Sequence, residues 1–179
     1  MKLKLPRICI DTREQHAWIF PGRETVRVAL AEGDYCLEGF ANLITIERKA
    51  LGDLVACCGG ERDRFEHELF RLAENVVFPY VLIEGDLRDV EARNWIGMLE
   101  PSQLIRSIHR WHLTFGVTFE WCSTARHANA NALHLFSLIE KDLRRLRPAR
   151  RRGGKALSTV ELGKDSVPPQ GSVALPSEH

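Results

Sequence analysis

Short apolar runs alternate with longer amphipathic stretches along this chain, and the two periods predict different elements. Arg7-Ile8-Cys9-Ile10-Asp11 is a brief apolar strand ending in an acid. Thr25–Leu30 and Asp34–Leu37 lie on either side of Glu32-Gly33, which predicts an extended pair closed as a hairpin. Leu43–Glu47 is β-branched and bounded by turn residues, hence a strand. Leu51–Cys57 and Glu61–Asn75 read as helices, since Phe65, Leu69 and Leu72 fall at i, i+4 and i+7. Tyr80-Val81-Leu82-Ile83 is a buried type of strand, closed by Glu84-Gly85. Pro101-Ser102 opens a helix with Leu104, Ile105, Ile108 and Trp111 near one face, and Gly116 ends it. Val117–Trp121 is a further strand and Arg126–Leu146 a last helix. Strands separated by helices predict an α/β fold, a mixed central sheet sandwiched by helices.

Composition narrows the class. At 44% hydrophobic and 27% charged residues, the chain can build an ordinary globular core without staples. Five cysteines, an odd number with no C-x-x-C pair, argue for reduced thiols and against a disulfide frame or a zinc site. No stretch approaches the roughly 20 apolar residues of a membrane span, and Met1–Pro6 lacks the apolar core of a signal peptide. The expected location is therefore cytoplasmic, or nucleoid-associated in a bacterium or phage. The net charge of +1 hides an asymmetry: residues 1–143 hold 17 Lys/Arg against 21 Asp/Glu, a net charge of −4. Residues 144–155, RRLRPARRRGGK, hold seven basic side chains and no acid. Beyond Arg152 the chain turns to Gly, Pro and Ser, too poor in large apolar residues to offset its ordering entropy. A folded domain over 1–146 and a basic, then disordered, tail over 147–179 are expected.

Within the body, the charges sit where apolar strands should be. Asp11 ends the first strand, Asp34 begins another and Glu47 closes the next. Buried charges are costly unless paired or bound to a metal. If these strands are neighbours, three carboxylates meet at one sheet edge, an oxygen-rich set suited to Mg²⁺ or Mn²⁺ and not to zinc. Glu47 and Lys49 lie two apart, so a strand projects both to one face. A lysine beside a metal can help orient an attacking water and stabilise charge on a phosphate. Acid, spacer, acid, one residue, lysine is the pattern shared by PD-(D/E)xK nucleases.

The fuller text is more specific. Asp11-Thr12-Arg13-Glu14 gives D-x-R-E, Gly33-Asp34 gives G-D, and Glu47-Arg48-Lys49 followed by Asp53 gives E-R-K-x(3)-D. In this order they resemble the signature of the XPF-type structure-specific endonucleases. The resemblance extends through RFEHELFRL (Arg64–Leu72), Val81–Glu84 and FGVTFEW (Phe115–Trp121), roughly residues 7–145. It implies a restriction-endonuclease-like sheet of about six strands flanked by helices, DNA cleavage with Mg²⁺ or Mn²⁺ and a homodimer formed through the nuclease domain. By position, Asp11, Asp34 and Glu47 correspond to metal-binding acids and Lys49 to the catalytic lysine. Arg13, Glu14, Arg48 and Asp53 match positions that support the acids or meet the phosphate, and Arg64 one that contacts DNA.

One departure concerns the DNA grip. Family members usually carry a tandem helix-hairpin-helix module after the nuclease domain, whereas only about 30 residues follow Leu146 here. A helicase or DNA-binding partner is one substitute. Another is the arginine run Arg144, Arg145, Arg147, Arg150, Arg151 and Arg152, acting through phosphate contacts and counterion release. Several residues have plainer readings too. Asp53 suits a helix start, Arg64 a solvated face, and Glu84 a surface ion pair as well as support of the site. Arg106, His109, Arg110 and His112 form a solvated or interface face. Trp111, Phe119 and Trp121 read as core or dimer contacts. The expected activity is endonucleolytic cleavage of branched, flap or fork DNA in repair or recombination. Its rivals are a non-catalytic DNA-binding scaffold of the same family and a PD-(D/E)xK nuclease of another lineage.

Overall fold

The computed structural model describes residues 5–146; the expected tail, with Arg147, Arg150, Arg151 and Arg152, lies outside the described residues. Six strands form one mixed sheet in the order β2-β1-β3-β4-β5-β6. They are β1 (Ile8–Asp11), β2 (Thr25–Val28), β3 (Tyr35–Leu37), β4 (Ile44–Ala50), β5 (Phe78–Glu84) and β6 (Thr118–Trp121). The helices are α1 (Leu51–Cys57), α2 (Arg62–Asn75), α3 (Leu87–Glu91), α4 (Pro101–Phe115) and α5 (Ala125–Leu146). Only β3 runs against its neighbours: β1–β2, β4–β5 and β5–β6 are parallel pairs. Helices cover both faces, which completes the expected restriction-endonuclease-like α/β fold.

Period-2 alternation divides the core in two. Ile8, Ile10, Tyr35, Leu37, Ile44, Ile46 and Leu82 pack with Ala128, Ala132 and Phe136 of α5. Val81 and Ile83 point the other way, onto Leu54, Phe65, Leu69, Leu72, Leu104, Ile108 and Trp111 of α1, α2 and α4. Trp111 is thus core: it is buried, its indole N–H donates to Glu66 at 2.8 Å, and Phe119 lies 6.1 Å away in a stacked pair.

The expected hairpin between Thr25–Leu30 and Asp34–Leu37 does not form. β1 lies between them, parallel to β2 and antiparallel to β3. The reason is burial: all four residues of β1 are buried, so it needs a partner on each side, while β2 is mostly exposed and serves as an edge. The short α3 was not expected either; it starts from a reciprocal cap in which Asp86 and Asp89 accept each other's backbone N–H groups. β4 also runs further than expected, to Ala50, so Glu47, Arg48 and Lys49 sit inside a central strand opposite Val81, Leu82 and Ile83.

Packing predicts a sharp contrast between two phenylalanines. Phe136→Ala, at a fully buried site, should cost about 3–5 kcal/mol in urea unfolding. Phe70→Ala, 53% exposed, should stay within about 0.5 kcal/mol.

Candidate active site

Strand register brings the three acids into one row. Ile10 faces Tyr35, and Tyr35 faces Ile46. One residue further along, Asp11, Asp34 and Glu47 are neighbours on adjacent strands. The Asp11 N–H donates to the Asp34 carbonyl at 2.8 Å, and the Asp34 N–H donates to the Ile46 carbonyl at 2.9 Å. Adjacent strands lie about 4.8 Å apart, so the row is narrow. Because Ile10, Tyr35 and Ile46 face α5, the acids face α2. Gly33 makes the entry possible: its φ is +66°, and a Cβ there would run into Cγ2 of Thr45 and lie 3.2 Å from the Ile46 carbonyl oxygen.

Lys49 projects from β4 on the same face. Its Nζ donates to Glu47 Oε1 at 2.7 Å and sits 4.6 Å above the Phe65 ring of α2. Both partners are buried, at 5% exposure for Glu47 and 8% for Lys49. Burial works against the lysine's charge, but the Glu47 and Glu68 carboxylates outweigh it and hold the amine protonated. Burial pushes the Glu47 carboxyl upward, the charge of Asp34 adds to this, and the lysine opposes it. Burial likewise raises Asp34 to about 6, against the pull of the Arg48 N–H that donates to its Oδ2 at 2.8 Å.

Asp11 is held differently. Its Oδ1 accepts the backbone and Nε N–H groups of Arg13, both at 2.7 Å. Its Oδ2 accepts the second guanidinium nitrogen of Arg13 at 3.1 Å and the Leu30 N–H at 2.7 Å. The Arg13 hydrogen bonds outweigh burial and keep the carboxyl below the usual range. As the side chains stand, no group of three or more His, Cys, Asp or Glu among the described residues could hold a metal ion. The expected trio is therefore a row of acids and not a closed ligand set, because Arg13 takes both oxygens of the outermost member. Arg13 is 71% exposed and Asp11 only 1%, so the guanidinium is open to solvent while the carboxylate depends on a positive partner. The Asp34 and Glu47 oxygens are hard carboxylate donors of the kind that suits a divalent cation, and Asp11 could join them only if released by Arg13.

The remaining candidates divide. Arg48 lies on the opposite face, where it binds both oxygens of Glu84 at 2.7 Å and approaches Glu14 Oε1 at 3.7 Å. Glu84 also accepts the Trp18 indole N–H at 2.8 Å, and Trp18 stacks on Tyr35 with ring centroids 4.5 Å apart. This network ties Glu14 and Trp18 to β3, β4 and β5 on the face opposite the row. Asp53 is exposed in the first turn of α1 with no ion pair among the described residues. Arg64 is exposed on α2 and pairs with Glu61 at 2.7 Å. Arg144 and Arg145 are exposed at the end of α5, the latter 3.4 Å from Asp142. Arg106, His109, Arg110 and His112 are all exposed, and His112 Nδ1 lies 2.9 Å from the Val117 carbonyl at the end of α4.

Sequence reasoning missed two contributors. Trp18 sits in a stretch without secondary structure, where an aromatic gives little positional signal. Glu68 was legible as an acid three residues after Phe65, beside the buried stripe of α2, and its charge acts on Asp34, Glu47 and Lys49.

A row of three acids, Asp11 and Glu47 of them buried, lies with a lysine on the face of a helix-flanked mixed sheet, and the family match reads it as a nuclease-type domain. The sequence pattern of the ERCC4 domain matches residues 10–131, and the chain belongs to that family. Solved structures show the same fold. XPF from Aeropyrum pernix superposes with a TM-score of 0.57 at 23% identity, covering 81% of this chain and 69% of that one. XPF from the same organism in complex with DNA gives 0.56 at 20% identity, covering 80% and 68%. No curated protein sequence matches the chain.

Two variants test how the row is built. Gly33→Ala should destabilise the fold by on the order of 1–3 kcal/mol in urea, from the positive φ and the Thr45 clash together. Asp34→Asn should raise the thermal midpoint of the metal-free protein in EDTA at pH 8. A carboxyl whose folded pKa is raised to about 6 burdens the folded state above that pH. The burden fades as pH falls through 6 toward the ordinary value near 4. The gain, on the order of 1–3 kcal/mol, should therefore vanish by about pH 4.

Proposed function

We propose that this chain is a divalent-metal-dependent DNA endonuclease that hydrolyses phosphodiester bonds at branched, flap or fork DNA in repair or recombination. The observation that carries the reading is the Glu47–Lys49 pair beside Asp34, buried on one face of a central strand. Membership of the ERCC4 domain family supports it, and so does the fold shared with an XPF captured in complex with DNA.

Asp34 and Glu47 would hold Mg²⁺ or Mn²⁺, with Asp11 joining after release from Arg13. Such an ion, when bound, lowers the pKa of a coordinated water and offsets charge on the phosphate. Lys49 keeps a fixed positive charge at the reacting phosphate because the Phe65 ring and Glu47 hold its amine in place. Arg13, once free, is long and exposed enough to meet the same phosphate. Arg48 acts from the other face: it fixes Glu84 and Glu14 and gives its backbone N–H to Asp34. Arg64 and the run from Arg144 to Arg152 would track the DNA backbone by charge. A homodimer, or a helicase or DNA-binding partner, would supply further grip, and the cell compartment holding DNA, cytoplasmic or nucleoid, is where such a protein acts.

A panel of single-stranded, duplex, flap, fork and Holliday-junction DNA tests this with Mg²⁺ and with Mn²⁺. Cleavage should favour the branched substrates and stop in EDTA. Glu47→Gln and Lys49→Ala should each lower the rate by about 10²–10⁴-fold without weakening DNA binding. DNA binding with no cleavage under either ion would identify a scaffold instead, and cutting of plain duplex at a fixed sequence would point to another nuclease lineage.

A further inference from the structure

We propose that Glu68 of α2 is a further acid of this centre, taking up a divalent cation or one of its waters opposite Asp34 and Glu47; the inference rests on the nuclease reading above. Two observations converge on this residue. Its Oε2 is buried and accepts no hydrogen bond. A carboxylate oxygen shut away from water without a donor is destabilising, and a cation or its water would satisfy it, although the side chain as a whole is 23% exposed. The neighbouring cation does not meet that need: Arg64 NH1 stands 3.8 Å away on a side chain that is 64% exposed, a weak pair.

Placement supplies the second observation. Glu68 follows Phe65 by one helical turn, and the Phe65 ring carries the Lys49 ammonium at 4.6 Å. The turn of α2 that bears Glu68 is therefore the one laid against the acid–lysine pair of β4. An acid of the helix is thus carried on the turn next to the one that covers Lys49. Lys49 donates to Glu47, and the Glu68 Oε2 accepts no hydrogen bond from it. A hydrated cation brings strong donors to such an oxygen.

Manganese binding to the full chain tests this without reference to cleavage, by electron paramagnetic resonance of free Mn²⁺ and by the Mn²⁺-dependent shift in thermal midpoint. Wild type, Asp34→Asn, Glu68→Gln and Glu68→Ala are compared, with circular dichroism confirming that each is folded. Glu68→Gln keeps the shape of the side chain and should weaken Mn²⁺ binding by about 10-fold or more, with the metal-free midpoint unchanged or raised. Glu68→Ala carries the same expectation if the glutamine variant does not fold. Wild-type Mn²⁺ affinity in either folded variant, together with its loss in Asp34→Asn, overturns the role of Glu68 and leaves the site intact. A wild-type chain that takes up no Mn²⁺ at millimolar concentration overturns both.

Discussion

The burial of like charges on one sheet face is the constraint to which the rest of this structure answers. Asp11, Asp34 and Glu47 occupy one cross-strand row that faces α2, and acids that close disfavour one another's ionisation. Each has a different remedy. Arg13 neutralises Asp11, the Arg48 N–H and the field of Lys49 ease Asp34, and Lys49 itself pairs with Glu47. The remedies are incomplete for the inner two, whose carboxyls stay raised.

Support for the row comes largely from the face that does not carry it. Arg48 belongs to the same three-residue run as Glu47 and Lys49, yet strand alternation sends it to the α5 side. There it joins Glu84, Glu14 and, through Glu84, the indole of Trp18. Buried ion pairs of this kind add little net stability but are costly to break, which makes them good positioning devices. The backbone between Asp34 and Lys49 is gripped from both sides of the sheet. α2 closes the other side, with Arg71 reaching Glu32 at 3.3 Å beside the Gly33 turn.

These features give the shared fold a chemical meaning. The superpositions with XPF establish the arrangement of strands and helices, and the ERCC4 domain pattern spans the row, the lysine and α2. The local ion pairs then show what each charge is doing in this chain: Lys49 and Arg13 face the acids, while Arg48 braces the strand behind them.

By itself the sequence determined most element types, the α/β class and the shared face of Glu47 and Lys49, since periodicity and short spacings are local properties of a chain, whereas strand register set Asp11 and Asp34 beside them. It also marked Glu84 as a charge ending a buried strand. Only the tertiary structure decided that β1 separates β2 from β3, because edge and centre depend on which strand must bury both sides. It likewise decided that Arg13 turns back onto Asp11, that Asp53 stays exposed, and that Trp18 and Glu68 join the site from segments 30 or more residues from some of their partners. Electrostatic and aromatic contacts act through space, and no spacing along the chain records which distant groups will meet.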